Sequence, residues 1–329
     1  MDRSVLEAAT ARGIIDSDQL QALLAFAAEQ DGEDDDAAPS GEEQLRFVRS
    51  FGDIFITLGV IFLSVAMAQL DLEGWQQIGP IVFLIATTEW LVGMRRLALP
   101  GIVLLIALLY FTGAIVGVAD ATSSLISFAA TAIVSAVYYW RYRTPFSVTP
   151  LVLGLTGVLA SVFGLTPMDI IEMPALLAGF GVLVFLAAMA FDARDRERAN
   201  RYSDTGFWLH LMAAPMLVHG VMAMLLAVEV EAPLAQGLML VFFLVFVLTA
   251  LFVDRRAMLV SSLAYAIYAV TRLLSEDGNA VGDTILLVFI GFGVFVIAFG
   301  AYWYAARRVL FGWLAERALA RFVPPFQPR

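Results

Sequence analysis

Phe51-Gly52-Asp53-Ile54-Phe55-Ile56-Thr57-Leu58-Gly59-Val60-Ile61-Phe62-Leu63-Ser64-Val65-Ala66-Met67-Ala68-Gln69-Leu70 carries one ionisable side chain, Asp53, in its whole length. A helix rises about 1.5 Å per residue, so roughly 20 apolar residues cross the ~30 Å hydrocarbon core of a bilayer. The stretch reads as a membrane-spanning helix. Nine runs of the same kind follow: Ile78–Met94, Pro100–Val118, Ser123–Trp140, Phe146–Leu165, Pro174–Phe191, Gly206–Ala227, Leu234–Val253, Ala257–Leu274 and Thr284–Trp303. Composition agrees, since the 329 residues are 60% hydrophobic and 15% charged, with mean hydropathy +0.83. Soluble domains run to roughly 45–50% apolar and about 25% charged. The expected fold class is all-α: a polytopic membrane protein of ten transmembrane helices.

The charges between the runs test that division independently. Cytoplasmic loops of membrane proteins carry an excess of basic residues. One alternate set holds Arg46 and Arg49; Arg95 and Arg96; Arg141 and Arg143; Arg194, Arg196, Arg198 and Arg201; Arg255 and Arg256; then Arg307, Arg308, Arg317 and Arg321. The other holds Asp71 and Glu73; Asp120; Asp169 and Glu172; Glu229 and Glu231; Glu276, Asp277 and Asp283, and no arginine. A miscounted helix would scramble this alternation. The pattern predicts both termini in the cytoplasm and, with arginine as the only basic residue type, a bacterial inner membrane.

Outside the runs, residues 1–50 hold twelve acids against four arginines, which is −8 of the total −10. Such acidity argues against nucleic acid and against docking on anionic lipid. Residues 1–30 read as a small helical hairpin. Ser4-Val5-Leu6-Glu7 and Asp16-Ser17-Asp18-Gln19 fit capping boxes, Ile15 and Leu20 sit at hydrophobic-staple spacing, and Gly13 suits a helix end. Leu20, Leu23, Leu24 and Ala27 form one apolar stripe. Residues 31–44 read as an acidic linker, 45–303 as the membrane domain, and 304–329 as an amphipathic helix on the inner interface, or equally a cytoplasmic continuation of the tenth span, followed by a proline-bearing tail. No apolar leader core precedes the first span, so that span is expected to serve as the insertion signal.

Ala11-Arg12-Gly13-Ile14-Ile15-Asp16-Ser17-Asp18-Gln19-Leu20, then Arg46-Phe47-Val48-Arg49 leading into Leu58-Gly59-Val60-Ile61-Phe62-Leu63, resembles a family of bacterial membrane proteins catalogued as domain of unknown function 2157. The resemblance covers the first third of the chain. Ala68-Gln69-Leu70 departs from the aromatic, amide-rich end that the family shows on its first span. The resemblance implies membrane location and fold organisation, and no site residues.

Ionisable residues inside spans are costly and mark candidate sites. Glu89 lies in the second span and could carry a proton or bind a cation; Arg96, seven residues on, could instead pair with it. His210 and His219 lie on the seventh span, nine residues apart and therefore on opposite faces of a straight helix. They cannot share a metal, and Pro215 between them could bend the helix. A Glu89–His210 pair is the sharpest local expectation, both residues lying a few positions in from the arginine side. Arg272 and Tyr268 share a face of the ninth span and could hold an anion, or Arg272 could pair with Glu276 or Asp277. Asp53 is expected to pair with Arg49. Gly113 with Gly117, Gly154 with Gly157, and Gly291 with Gly293 are expected to let helices pack closely.

Cysteine and lysine are absent, which excludes disulfides, thiolate chemistry and lysine-dependent phosphate loops. No nucleophile elbow or zinc motif is present, so no metal or cofactor is expected, and an intramembrane enzyme is a distant third expectation. The first functional expectation is a structural, sensing or partner-binding membrane protein, with lipid around it and a cytoplasmic protein partner for the N-terminal domain. The alternative is a transporter or channel for a small or proton-coupled solute, using Glu89, His210 and His219.

Overall fold

The computed structural model describes residue 10 and residues 12–24, 51–70, 72–116, 121–198, 200–228, 231–274, 281–315 and 317–326. The chain divides into two compact units, Met1–Gln44 with Pro328–Arg329, and Leu45–Gln327.

In the smaller unit residues 17–24 are helical. The second capping box forms as its sequence requires. The Gln19 N–H donates to Asp16 Oδ1 at 2.7 Å, and the Asp16 N–H donates to Gln19 Oε1 at 3.0 Å. Gly13 takes a left-handed φ of +68°, and its N–H donates to the Thr10 carbonyl at 3.0 Å. The box at Ser4–Glu7, the end of the apolar stripe and the acidic linker lie outside the described residues.

The larger unit is helical, with no strand among the described residues. Its longer helices are α1 (Phe51–Ala68), α2 (Ile78–Thr88), α3 (Ala98–Val116), α4 (Ala121–Tyr142), α5 (Val148–Val162), α6 (Pro174–Asp192), α7 (Arg201–Ala227), α8 (Ala232–Val253), α9 (Ala257–Leu274), α10 (Val281–Ala301) and α11 (Trp303–Phe311), and a short helix, Pro167–Glu172, lies between α5 and α6. Ten segments are long and apolar enough to cross a membrane, and they coincide with the ten sequence runs. Proline opens α5, α6 and α8 or their leading turns, where its missing N–H would have had no helical partner. The large apolar side chains left exposed, such as Phe62, Val182, Val241 and Ile297, point outward on these helices, where lipid replaces a protein core.

Two packed groups organise the spans. In the first, α1 to α4 enclose Val60, Leu84, Leu91, Leu104, Leu105, Leu108, Phe111 and Tyr138. In the second, α7 is the hub, touching α5, α6, α8 and α9, with Ala214, Val218 and Met222 facing Met239, Val247, Leu251 and Met258. Glycine permits close approaches between helices. A Cβ at Gly220 would sit 2.7 Å from the Ala178 N and the Pro174 carbonyl, and one at Gly154 would sit 2.7 Å from the Ala132 N. Helices α6 with α7, and α4 with α5, therefore touch backbone to backbone. Gly113, Gly291 and Gly293 behave otherwise, because a Cβ there would meet nothing within 4 Å. Close packing is thus a property of Gly154 and Gly157 but not of Gly113, Gly291 and Gly293, while Gly117 lies outside the described residues.

The C-terminal region departs from one interfacial helix. The chain turns at Tyr302, forms α11, then two short 3-10 turns at Gly312–Leu314 and Ala318–Phe322. Residues 323–326 fold back, burying Val323 and Phe326 against Met189, Phe252, Phe311 and Leu314. The amphipathic pattern is real on α11. Gly312 and the returning tail end it, because Phe326 competes for the same apolar face.

Candidate functional site: a buried ionic network where α6, α7, α8 and α9 meet

An acid at a helix C-terminus is opposed by the helix dipole and needs compensation. Asp192, the last residue of α6, is such an acid, and its side chain is only 3% exposed. Arg255, in the tight turn between α8 and α9, supplies the compensation. Its Nη2 donates to Asp192 Oδ1 at 2.6 Å and its Nε donates to Oδ2 at 3.2 Å, a fork-on-carboxylate geometry. His210 on α7 completes the group, with Nε2 at 3.0 Å from Asp192 Oδ2. An ionised carboxylate only accepts, so His210 carries its proton on Nε2. Arg255 Nη2 also donates to the Ser203 carbonyl and hydroxyl, at 3.0 and 3.1 Å. Gly206 faces the carboxylate so closely that a Cβ would collide with Asp192 Oδ1. The phenyl ring of Phe185 closes the site edge-on to the imidazole, 5.2 Å between centroids.

A second layer continues the network. Asp254 ends α8 with a left-handed φ of +60°, and Arg198 has φ +54° in the loop after α6. A non-glycine residue there costs roughly 1–2 kcal/mol. The two strained residues hold each other: Arg198 Nη2 donates to the Asp254 carbonyl at 2.5 Å, and Nη1 lies 3.2 Å from its carboxylate. The Trp303 indole N–H donates to the same carboxylate at 2.6 Å, which ties in α11. Asp195 accepts from the Asn200 and Ser203 N–H groups at 2.7 and 3.3 Å, capping α7 from the preceding loop. This cap explains why α7 begins at Arg201 and not at Gly206.

Arginine also straps the tail. Arg307 donates to the carbonyls of Leu251, Pro324 and Pro325 at 3.0, 2.7 and 2.5 Å, and its guanidinium lies 4.7 Å above the Phe326 ring. Arg196 donates to the Val323 carbonyl at 3.0 Å. Burial lowers the Arg307 pKa, an effect the Asp254 charge opposes.

The sequence-derived candidates fall into separate places. Glu89 does not meet His210, nor does it pair with Arg96; its carboxylate takes an ion pair from Arg141 and a hydrogen bond from the Tyr142 hydroxyl at 3.0 Å. Helix α2 widens there into a π-helical turn, Glu89–Met94, with the Arg95 N–H reaching the Trp90 carbonyl at 3.2 Å. His210 sits in the network above. His219 is exposed on the far part of α7 and hydrogen-bonds the Tyr265 hydroxyl of α9. Tyr268 and Arg272 lie on the exposed side of α9, and Glu276 and Asp277 fall outside the described residues. Asp53 is buried, and its expected partner Arg49 also falls outside them. Among the described residues no group of three or more His, Asp or Glu could hold a metal.

The sequence reading passed over Asp192, Asp195, Asp254, Ser203 and Arg255 as a site. A signal existed: loops that otherwise carry arginine also carry these three acids, and an acid on the arginine side has a partner at hand. Comparison with protein-family models, curated proteins and solved structures returns no match. The class that fold and site define is a polytopic α-helical membrane protein.

Proposed function

We propose that the protein is a multi-pass bacterial inner-membrane protein, both ends cytoplasmic, with a structural, sensing or partner-binding role, and that its two histidines, His210 buried and His219 exposed, hold helices together. One observation carries this reading. Between His210 and His219, about 13 Å of helix rise apart, the inward face of α7 presents Ala213, Ala214 and Val218, all buried in apolar packing. Gly181 of α6 closes on Leu217 in the same stretch, a Cβ there falling 2.8 Å from the Leu217 N. A solute moving along α7 would have to cross this seal. The likeness of residues 11–20 and 46–63 to the family catalogued as domain of unknown function 2157 supports membrane location and the order of the parts. The alternating loop charges support the orientation.

The chain has no cysteine, so His210→Cys and His219→Cys need no other change. Both are expected to resist a membrane-impermeant thiol reagent from either side of the bilayer and to react after denaturation. Labelling of His210→Cys from one side and His219→Cys from the other would show an aqueous route along α7 and overturn the reading. Partner binding is tested by deleting residues 1–44 and comparing proteins co-purified with the full and shortened chains; an identical set removes the N-terminal domain from that role.

A further inference from the structure

Helix α4 is unlike its neighbours. The inward face of a span is usually apolar, yet here Ser124, Ser127, Thr131, Ser135, Tyr138 and Tyr142 follow at three- and four-residue spacing and share one face. Ser124 and Ser135 are 1% and 0% exposed, and their hydroxyls have no hydrogen-bond partner. Many other serines and threonines of the spans donate to a carbonyl one turn back, as Thr57, Thr88, Thr112 and Ser262 do. Opposite α4, Gly154 and Gly157 of α5 press on Phe128 and Ala132. That antiparallel register brings Ser161, one turn beyond Gly157, level with Ser124, and the Ser161 hydroxyl is also buried and unpartnered. Leaving a buried hydroxyl unpaired costs about 1–3 kcal/mol, so three along one helix contact need a reason.

The stripe ends at a titratable group. Tyr138 donates to the Gly101 carbonyl at 2.7 Å, its ring lies 4.8 Å from that of Tyr142, and Tyr142 donates to Glu89. Glu89 opens the π-helical turn of α2, a feature common at functional sites. Its side chain is 45% exposed and pairs with Arg141 in the last turn of α4, at the arginine-loop end of both helices. The charged and titratable groups that contact it are Arg141 and Tyr142 of α4; Tyr138, one turn back, is held by the Gly101 carbonyl of α3, and Arg95, in the turn after Glu89, lies over Trp90.

We propose that the hydroxyl face of α4, with Ser161 of α5, is a proton track joining the acidic-loop side of the membrane to Glu89. Each hydroxyl both donates and accepts, so a file of hydroxyls with water between them can pass a proton by exchanging hydrogen bonds. The arriving proton adds to the Glu89 carboxylate and gives the neutral acid, which no longer balances Arg141. The proton then leaves to water on the arginine-loop side and the carboxylate re-forms. One proton crosses, no other bond changes, and the proton gradient drives it. The inference is independent of the role proposed for α7.

The test uses the full chain in liposomes with a pH dye inside and a potassium diffusion potential to drive protons. Wild type is expected to exceed protein-free liposomes by about tenfold, Glu89→Gln to fall to that background, and Ser135→Ala to lose about tenfold, equivalent to ~1.4 kcal/mol on the barrier. Ser135→Ala discriminates, because removing an unpartnered hydroxyl leaves thermal stability equal or higher; a purely structural Ser135 would leave the flux alone. Wild-type flux at the protein-free level, or Ser135→Ala conducting like wild type, overturns the proposal. Thiol labelling along α7 is a separate readout, so either reading can fail alone.

Discussion

Replacing Asp192 by Asn removes the charge at the centre of the buried network and little else. Arg255, 3% exposed, loses the ionic partner it holds at 2.6 and 3.2 Å and is left with neutral acceptors there, the Ser203 carbonyl and hydroxyl among them. His210 loses an ionic acceptor. Breaking a buried pair from one side costs about 3–5 kcal/mol, because the surviving charge stays out of water. The Ser203 bonds retain part of the compensation, which places Asp192→Asn near the lower end, about 3 kcal/mol. Gly206→Ala reaches the same contact sterically, its methyl group displacing Asp192 Oδ1. Two routes to one broken contact are not additive. The double variant is therefore expected to be no more than about 1 kcal/mol worse than the poorer single one. Removing both charges with Asp192→Leu and Arg255→Met is expected to be milder than either charge removal alone, since apolar replacements of buried pairs are often neutral. Reversible unfolding in mixed micelles, followed by tryptophan fluorescence, measures all of these. A cost below about 1 kcal/mol for Asp192→Asn, or full additivity with Gly206→Ala, would refute the claim that this ion pair organises the second group of helices.

Arg307→Lys keeps the charge but cannot fork across the Leu251, Pro324 and Pro325 carbonyls; the tail after Arg321 is expected to become protease-sensitive while the spans remain intact, and unchanged cleavage would remove Arg307 as its strap. Gly220→Ala pushes a methyl group to 2.7 Å from the α6 backbone and is expected to cost about 1–3 kcal/mol, whereas Gly293→Ala, in open space, is expected to be neutral or stabilising; equal effects would contradict the packing described. Asp169 is held below its ordinary carboxylate pKa by the Thr166 N–H and hydroxyl. Its folded-state value is depressed, so its contribution to the Pro167–Glu172 helix is complete above about pH 4 and is lost as pH falls through the lowered value. Hydrogen exchange of that helix is expected to accelerate on acidification below pH 4 in wild type and to lose this dependence in Asp169→Asn.

Which features were legible in the chain follows from the range of the forces involved. Span number is a local property: about twenty apolar residues satisfy a bilayer whatever lies beside them, so Phe51–Ala68 and its nine successors could be read without neighbours. The Asp16–Gln19 cap is equally local, both partners lying within one turn. Pairing between distant segments is not. Glu89 meets Arg141 52 positions away, Asp192 meets Arg255 63 positions away, and Trp303 reaches Asp254 across 49. Periodicity along one helix carries no information about which neighbour its face will meet. The Glu89–His210 expectation failed for that reason: equal depth in the membrane does not make two helices adjacent, and Glu89 belongs with α4 while His210 belongs with α6. The glycines divide by the same logic, since Gly220 and Gly293 look alike in sequence and differ only in whether another backbone arrives.

By itself, then, the sequence determined that this protein is a helical membrane protein with ten runs long and apolar enough to span, and with arginine and acid in alternate loops, because hydropathy and charge act on each segment separately. Only the tertiary structure decided which buried charges neutralise one another, which glycines bear contacts, and that the α4 hydroxyls line up inward toward Glu89, because these depend on which helices touch.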